Sequence, residues 1–404
     1  MKQLRRYAIT FLLLIAGYLL FALMSSLLPN KAIAHHVAKT VERADLVTDF
    51  GFMLHCTPPY YMDNFTDALI LNQALSGGTD SLLTNMLLVP RAYGGGEECA
   101  SLRQLVEDDS NLRTLHYGRY WHGSTFLMRF LLLIGDYTML RMLFYLVTSL
   151  LLLWTSAALW RRRSPAIAAA FLTSLLLVNL FIMQFSIQFA PVLVIALCAT
   201  LWVLYRVKDG RQLCFVLFVT GSLTSYFDLL TCPMLTWGLP LTVWLLRPTS
   251  IRQGMRDWGH ASALWASGYG ITWVSKWFIA TALTTENVVR DGLSQFSIRA
   301  GTGEAISRFD ALTRNIGTLN WPIVCIAILI VAVVAFLMLK RRPSLPALRT
   351  SLLPLLLTAA ATLVWYLVLA DHSYLHYWFT YRDLAVTLFA LLAMLSILIS
   401  DCKR

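Results

Sequence analysis

Charge is what this sequence has least of. Asp, Glu, Lys and Arg make up 14 % of its 404 residues, against roughly a quarter in soluble domains. With 57 % apolar residues and a mean hydropathy of +0.62, the chain cannot wet the surface of a soluble domain. The seven cysteines include no CxxC pair, and no His-rich metal spacing appears. No direct or inverted internal repeat is evident, which weighs against the secondary transporters built from repeats.

Long apolar runs fill the space the charges leave. Ala8–Leu28, Leu143–Trp160 and Ile323–Leu339 have the length needed to cross hydrocarbon. The first follows Lys2, Arg5 and Arg6 as a signal peptide would. It leads into Leu28-Pro29-Asn30-Lys31 without a small-x-small cleavage site, so a retained helix is expected. Ten membrane helices are predicted, over 7–28, 137–160, 165–184, 187–206, 212–228, 231–247, 258–283, 319–339, 351–370 and 384–400. The expected fold is an all-α polytopic membrane protein, one transmembrane domain over 1–404.

The net charge of +11 is unevenly spread, and its distribution sets orientation rather than a nucleic-acid partner. More than half of the 33 Lys and Arg residues fall in the termini and in alternate turns: the clusters at 161–163, 206–211, 247–256 and 340–349. Asp209, Asp257 and Asp401 are the acids beside them. Basic segments resist translocation, so both termini are expected in the cytoplasm of a bacterial inner-membrane protein. The opposite side then carries a long loop, 30–136, and a second, 284–318. Within the first, Ile33, Val37, Val41 and Ala44 predict an amphipathic helix over 31–47, and Tyr120–Ile134 suits an interfacial or re-entrant helix. Cys56 and Cys99 both lie in this loop, where a disulfide is permitted. Cys198, Cys214, Cys232 and Cys325 read as packing residues.

Four stretches on the extracytoplasmic side concentrate chemistry. In Asp63-Asn-Phe-Thr-Asp67 two carboxylates stand one helical turn apart. They read either as an N-cap with an acidic first turn, opening a helix over 68–75, or as a proton acceptor for an incoming hydroxyl with its partner. Between the last two helices, the stretch from His372 to Arg382 supplies His372, His376, Tyr381 and Arg382, a set suited to phosphate oxygens. Its Tyr377, Trp378 and Phe379 also fit an interfacial aromatic belt. Lys276, near the outer end of its apolar stretch, reads as a snorkelling side chain or a phosphate ligand. Asp228 reads as a turn cap or as an orienting partner for Lys276. Arg119 and His122, in Arg119-Tyr-Trp-His-Gly123, read as an anchor for the interfacial helix or as part of a sugar or lipid pocket.

Together with Ser275-Lys-Trp277, these stretches and the helix–long loop–paired helix pattern resemble the C-type membrane glycosyltransferases, in an uncharacterised bacterial branch. The resemblance implies transfer of a sugar from a polyprenyl-phosphate carrier to an extracytoplasmic glycan or lipid acceptor. It implies an essential acid in the first outer loop, matched here by Asp63 or Asp67, with Asp49 as a third position. Asp63 would take the acceptor's proton and Asp67 would orient it or the sugar. Arg382, His372, His376 and Lys276 would stabilise the departing phosphate, and against such fixed cations no metal or cofactor need be invoked. The chain departs from the family pattern in lacking an adjacent pair of acids near the end of the first helix. Three other readings stand beside this one: a surface-polysaccharide polymerase or ligase using lipid diphosphates, marked by Arg290, Arg299, Arg308 and Arg314, a lipid-linked-sugar flippase or transporter, and a non-catalytic assembly or scaffold membrane protein.

Overall fold

The computed structural model describes residues 2–42, 46, 50–52, 61–77, 80–247, 249–301, 306–319, 321–322, 324–325 and 348–401. Asp49, Cys56 and nearly all of the predicted helix 319–339 lie outside these residues, and with Cys56 the proposed disulfide to Cys99. Cys99 is buried, with its Sγ 3.8 Å from the Asn64 carbonyl oxygen.

The chain is mostly helical. Helix α1 (Lys2–Ser26) is followed by the short amphipathic α2 (Asn30–Val41), which buries Ile33, Val37 and Thr40. Strands β1 (Phe50–Phe52) and β2 (Tyr61–Asp63) pair antiparallel and deliver the chain to α3 (Asn64–Ser76). After α4 (Leu82–Leu87), β3 (Pro90–Tyr93) pairs antiparallel with β4 (Arg113–His116) across the intervening α5 (Glu98–Val106). These two small sheets qualify the all-α expectation. Three- and four-residue strands are too short to leave a period-two signal in the sequence. The helix predicted over 120–134 is α6 (Gly123–Leu131), shorter at both ends.

Next come α7 (Tyr137–Arg162), α8 (Pro165–Leu176), α9 (Leu180–Phe185) and α10 (Phe189–Tyr205). The predicted single helix 165–184 is broken at Asn179, which adopts a left-handed backbone (φ 56°) and restarts the chain as α9. Helices α11 (Gly210–Phe227) and α12 (Met234–Leu245) keep close to their predicted ranges. Helix α13 (Ile251–Leu283) starts earlier than expected because Ser250 caps it by accepting from the Gln253 N–H. The second loop holds α14 (Val288–Arg299) and α15 (Arg308–Gly317). Helix α16 (Leu348–Val368), the short α17 (Ala370–Leu375) and α18 (Tyr377–Thr380), and α19 (Leu384–Asp401) complete the chain.

Among the described residues three helical stretches are long and apolar enough to cross a membrane: Gln3–Ser26, Tyr137–Arg162 and Tyr377–Leu398, the last running from α18 into α19 through the 3-10 turn Tyr381–Asp383. Shorter apolar helices lie at Pro165–Leu176, Phe189–Tyr205, Met234–Leu245 and Leu352–Val368. The first two long helices turn Leu12, Leu13, Leu150, Leu153 and Trp154 outward, all more than half exposed. Such a surface suits lipid, not water. The largest core packs α8, α10, α12 and α19 against α11 and α13. Helices α11 and α13 approach so closely that a Cβ added to Gly221 would stand 2.2 Å from the Trp265 carbonyl oxygen. One added to Gly268 would stand 2.1 Å from that of Phe218. Small residues that admit close backbone contact are a common packing device between membrane helices.

Contacts also sort the turns. Arg162 reaches the Leu204 carbonyl, Arg163 that of Val243 and Arg247 that of Lys208, while Arg6 lies over Phe215. The N-terminus and the basic turns at 161–163, 206–211 and 247–256 thus gather at one end of the bundle; the cluster at 340–349 lies almost wholly outside the described residues. The loops 30–136 and 284–318 meet at the other.

Candidate functional site

At the loop-rich end lies a cavity of about 490 Å³. Three segments remote in the chain build its walls. Phe65, Leu69, Arg91, Glu98, Leu115, His116, Tyr117 and Arg119 come from the first loop, Gln295, Ile298 and Arg299 from α14, and Asp371, His372, Leu375 and His376 from the last hairpin.

The phenol of Tyr117 is the electrostatic centre. Burial raises its pKa, but Arg119, Arg299 and Arg91 outweigh that effect and the net shift is downward. Three guanidiniums therefore place positive potential on one point. Arg91, on β3, is ion-paired with Glu98 at the start of α5. Arg119 lies 4.2 Å from the Tyr117 ring centroid and 3.3 Å from an Asp291 carboxylate oxygen. Its carbonyl accepts from the indole N–H groups of Trp273 (2.8 Å) and Trp277 (2.9 Å), both on α13. Arg299 closes α14 and donates to the Tyr120 hydroxyl. Burial works against its charge, but the oxygens of Tyr120 and Tyr117 overcome that and raise its pKa.

On the opposite wall, the rings of His372 and His376 stand 4.9 Å apart. His372 contacts the Leu230 carbonyl through Nε2 at 2.8 Å, so that nitrogen carries the proton. Burial, then repulsion from His376 and Arg299, holds its pKa well below the usual imidazole range. Burial and Arg299 lower that of His376 to about 4. Both imidazoles are neutral at pH 7. The Nδ1 atoms of both and Asp371 Oδ1 are buried without a hydrogen-bond partner among the described residues. An unpaired buried polar atom is costly unless a ligand or water meets it. Leu115, Ile298 and Leu375 line the same cavity and are each more than a third exposed, so its mouth is apolar while its floor is cationic.

Of the residues singled out in the sequence, Arg119, His372 and His376 line the cavity. The others lie beneath or beside it. Helix α3 turns Phe65 and Leu69 to the cavity; Asp63 and Asp67, also four apart but offset by two positions, lie on the opposite side and are buried. Asp63 is the N-cap of α3: its Oδ1 accepts from the Thr66 N–H (3.1 Å) and its Oδ2 from the Thr66 hydroxyl (2.6 Å). Burial raises its pKa, opposed by those bonds and by the nearby charge of Arg382. Asp67 accepts from the Tyr137 hydroxyl (2.7 Å), the Ser186 hydroxyl (2.8 Å) and the Ile187 and Gln188 N–H groups (3.3 Å each), tying α3 to the start of α10. Its pKa is raised to about 6, chiefly by burial and with Asp63 adding repulsion.

Arg382 is buried, donating to the Trp378 carbonyl at 2.5 Å with its guanidinium 4.5 Å from the Phe189 centroid. Tyr381 donates to the Val178 carbonyl (3.2 Å) and accepts from the Asn179 amide (3.0 Å). Asp228 accepts from the Thr231 N–H and hydroxyl and from Gln188, and thus caps the α11–α12 turn rather than meeting Lys276. Lys276 donates to the Met86 carbonyl (3.3 Å) and lies 5.3 Å from the Trp121 centroid. His122 holds the left-handed conformation (φ 57°), and its Nε2 meets the Tyr117 carbonyl at 2.7 Å. Burial, then Lys276 and the arginines, lowers its pKa to about 3. A non-glycine residue strained this way persists only where its surroundings hold it. Here it fixes the Tyr117 carbonyl from below the cavity.

Arg91, Glu98, His116 and Asp371 were not among the residues chosen from sequence. Each looks like an ordinary surface charge until the chain is folded. Arg299 was named only as one of four arginines. Arg290, Arg308 and Arg314 do not line the cavity. Cys198 is exposed on α10 instead of packed.

No protein-family model, curated protein or solved structure matches the chain. Among the described residues, no group of His, Cys, Asp and Glu is arranged to hold a metal ion.

Proposed function

We propose that this chain is a multi-pass inner-membrane glycosyltransferase with both termini in the cytoplasm, using a polyprenyl-phosphate-linked sugar as donor. The observation that carries the reading is the cavity itself: three guanidiniums and two neutral imidazoles beneath an apolar mouth. That combination suits an amphipathic ligand whose phosphate enters while its hydrocarbon tail remains in lipid. Guanidinium groups match phosphate oxygens in geometry and charge.

In the reaction, the bond between the anomeric carbon and the phosphate oxygen breaks, and the phosphate leaves with the electron pair. The acceptor hydroxyl oxygen forms the new bond to that carbon and gives up its proton. Arg119 and Arg299 neutralise the leaving phosphate, whose charge grows as the bond breaks. We assign the proton to Asp371, whose Oδ1 is unpartnered in the cavity wall. Asp63, with both oxygens engaged and facing away from the cavity, becomes the support that balances Arg382.

The full-length protein, reconstituted with a radiolabelled polyprenyl-phosphate sugar and an extracted envelope acceptor, tests this. Arg299→Ala should lower transfer by about 100-fold, the scale of losing one preorganised charge at a developing anion. Asp371→Asn should lower kcat with little effect on donor KM. Full transfer activity in both variants would refute the reading.

A second reading is favoured by the number of guanidiniums. Three, with Arg299 among them, could hold a lipid diphosphate, as a polysaccharide polymerase or ligase would require. Competition separates the two. Polyprenyl monophosphate should displace donor more strongly than the diphosphate under the first reading, and less strongly under the second.

A further inference from the structure

A second cavity, of about 640 Å³, lies far from the first, at the end where the basic turns gather. It is a groove between α10 and α11, with the start of α1 at its foot. One wall carries Val194, Cys198 and Trp202, the other Phe215, Val219 and Leu223. Cys198 and Trp202 are exposed, so the groove opens sideways. Its charged residues, Arg6 and Arg206, lie at one end with Gln212, while Thr220, further along, turns its hydroxyl to the Val216 carbonyl (2.8 Å).

Three features define what would fit. The first is length. From Gln212 to Leu223 the helix rises about 16 Å at about 1.5 Å per residue. That is roughly half of a hydrocarbon core about 30 Å thick, so the groove is one leaflet deep. The second is charge. Among the described residues no acidic residue lines it and neither arginine forms an ion pair. The third is preparation: the Arg6 guanidinium lies 3.8 Å from the Phe215 centroid, held over the foot of the groove. Basic pockets between membrane helices are recognised sites for anionic headgroups.

We propose that this groove binds an anionic glycerophospholipid of the leaflet adjoining the basic turns. Its phosphate lies between Arg6 and Arg206, and one acyl chain runs along Val194, Cys198, Val219 and Leu223. The site is separate from the donor cavity and does not depend on the glycosyltransferase reading.

Native mass spectrometry of the full-length protein in detergent, with equimolar phosphatidylglycerol and phosphatidylcholine, tests it. Wild type should retain phosphatidylglycerol about tenfold over phosphatidylcholine, given the attraction each basic side chain exerts on an anionic lipid. The Arg6→Gln/Arg206→Gln double variant should bind the two equally, and Val219→Trp, which fills the groove, should lose both. Equal retention by wild type overturns the proposal without reference to any variant's folding. So does a phosphatidylglycerol preference that survives in the double variant.

Discussion

The two aspartates of the first loop show how a residue can be conspicuous in sequence for a structural reason. Asp63 and Asp67 stand one turn apart because the first caps α3 and the second reaches across to Tyr137 and Ser186. Replacing Asp63 by alanine removes the cap, at about 1 kcal/mol, and leaves Arg382 buried without a compensating charge, which costs more. Asparagine keeps the cap and loses only the charge. We therefore expect both variants to lower the thermal midpoint in detergent, Asp63→Ala further than Asp63→Asn by the worth of the cap, with residual transfer tracking folded protein. A stable Asp63→Ala that has lost all turnover would return Asp63 to the chemistry. Asp67 makes a pH prediction. With its pKa raised from 3.8 to about 6, the folded state holds the proton more tightly than the unfolded chain. Its stabilising contribution is complete below 3.8 and is lost as pH rises through 6. Asp67→Asn should thus gain stability relative to wild type between pH 4 and 7. Midpoints measured at several pH values check this, and a difference that shrinks as pH rises counts against it.

At the scale of elements, the apolar periodicity and the basic turns located α7, α10, α11, α12 and α19 within a few residues, because burial and charge exclusion act on whole helices. Boundaries set by single contacts were less legible. The early start of α13 depends on the Ser250 cap, the break before α9 on the backbone of Asn179, and β1–β4 on pairings across loops. The α11–α13 contact gives the sharpest test. Even alanine at Gly268 would place a Cβ 2.1 Å from a backbone oxygen. The two helices must then separate, at about 1–3 kcal/mol. Gly270→Ala, on the same helix with nothing within 4 Å, should be neutral. Parallel thermal shifts for the two variants would show whether the tight crossing forms.

For the whole molecule, what sequence could not supply was which remote charges meet. Arg119, His372 and His376 were legible because aromatic neighbours made them unusual; Arg91, Glu98 and Asp371 acquire a role only from the convergence of three loops. The proposed orientation predicts that single cysteines at 113 and 290 react with an impermeant maleimide added to intact spheroplasts. Cysteines at 211 and 252 should react only after permeabilisation. The reverse pattern would turn the molecule over and put the cavity in the cytoplasm.

Both lone pairs of the Arg119 carbonyl are taken by Trp273 and Trp277, on a helix of 33 residues that also reaches the basic turns. The cavity's arginine is therefore bolted to a rod about 50 Å long. A tilt of that rod, wherever it is applied, is carried to the backbone of an arginine that lines the cavity. Replacing both indoles with phenylalanine would uncouple the two, leaving the rod in place and the anchor slack.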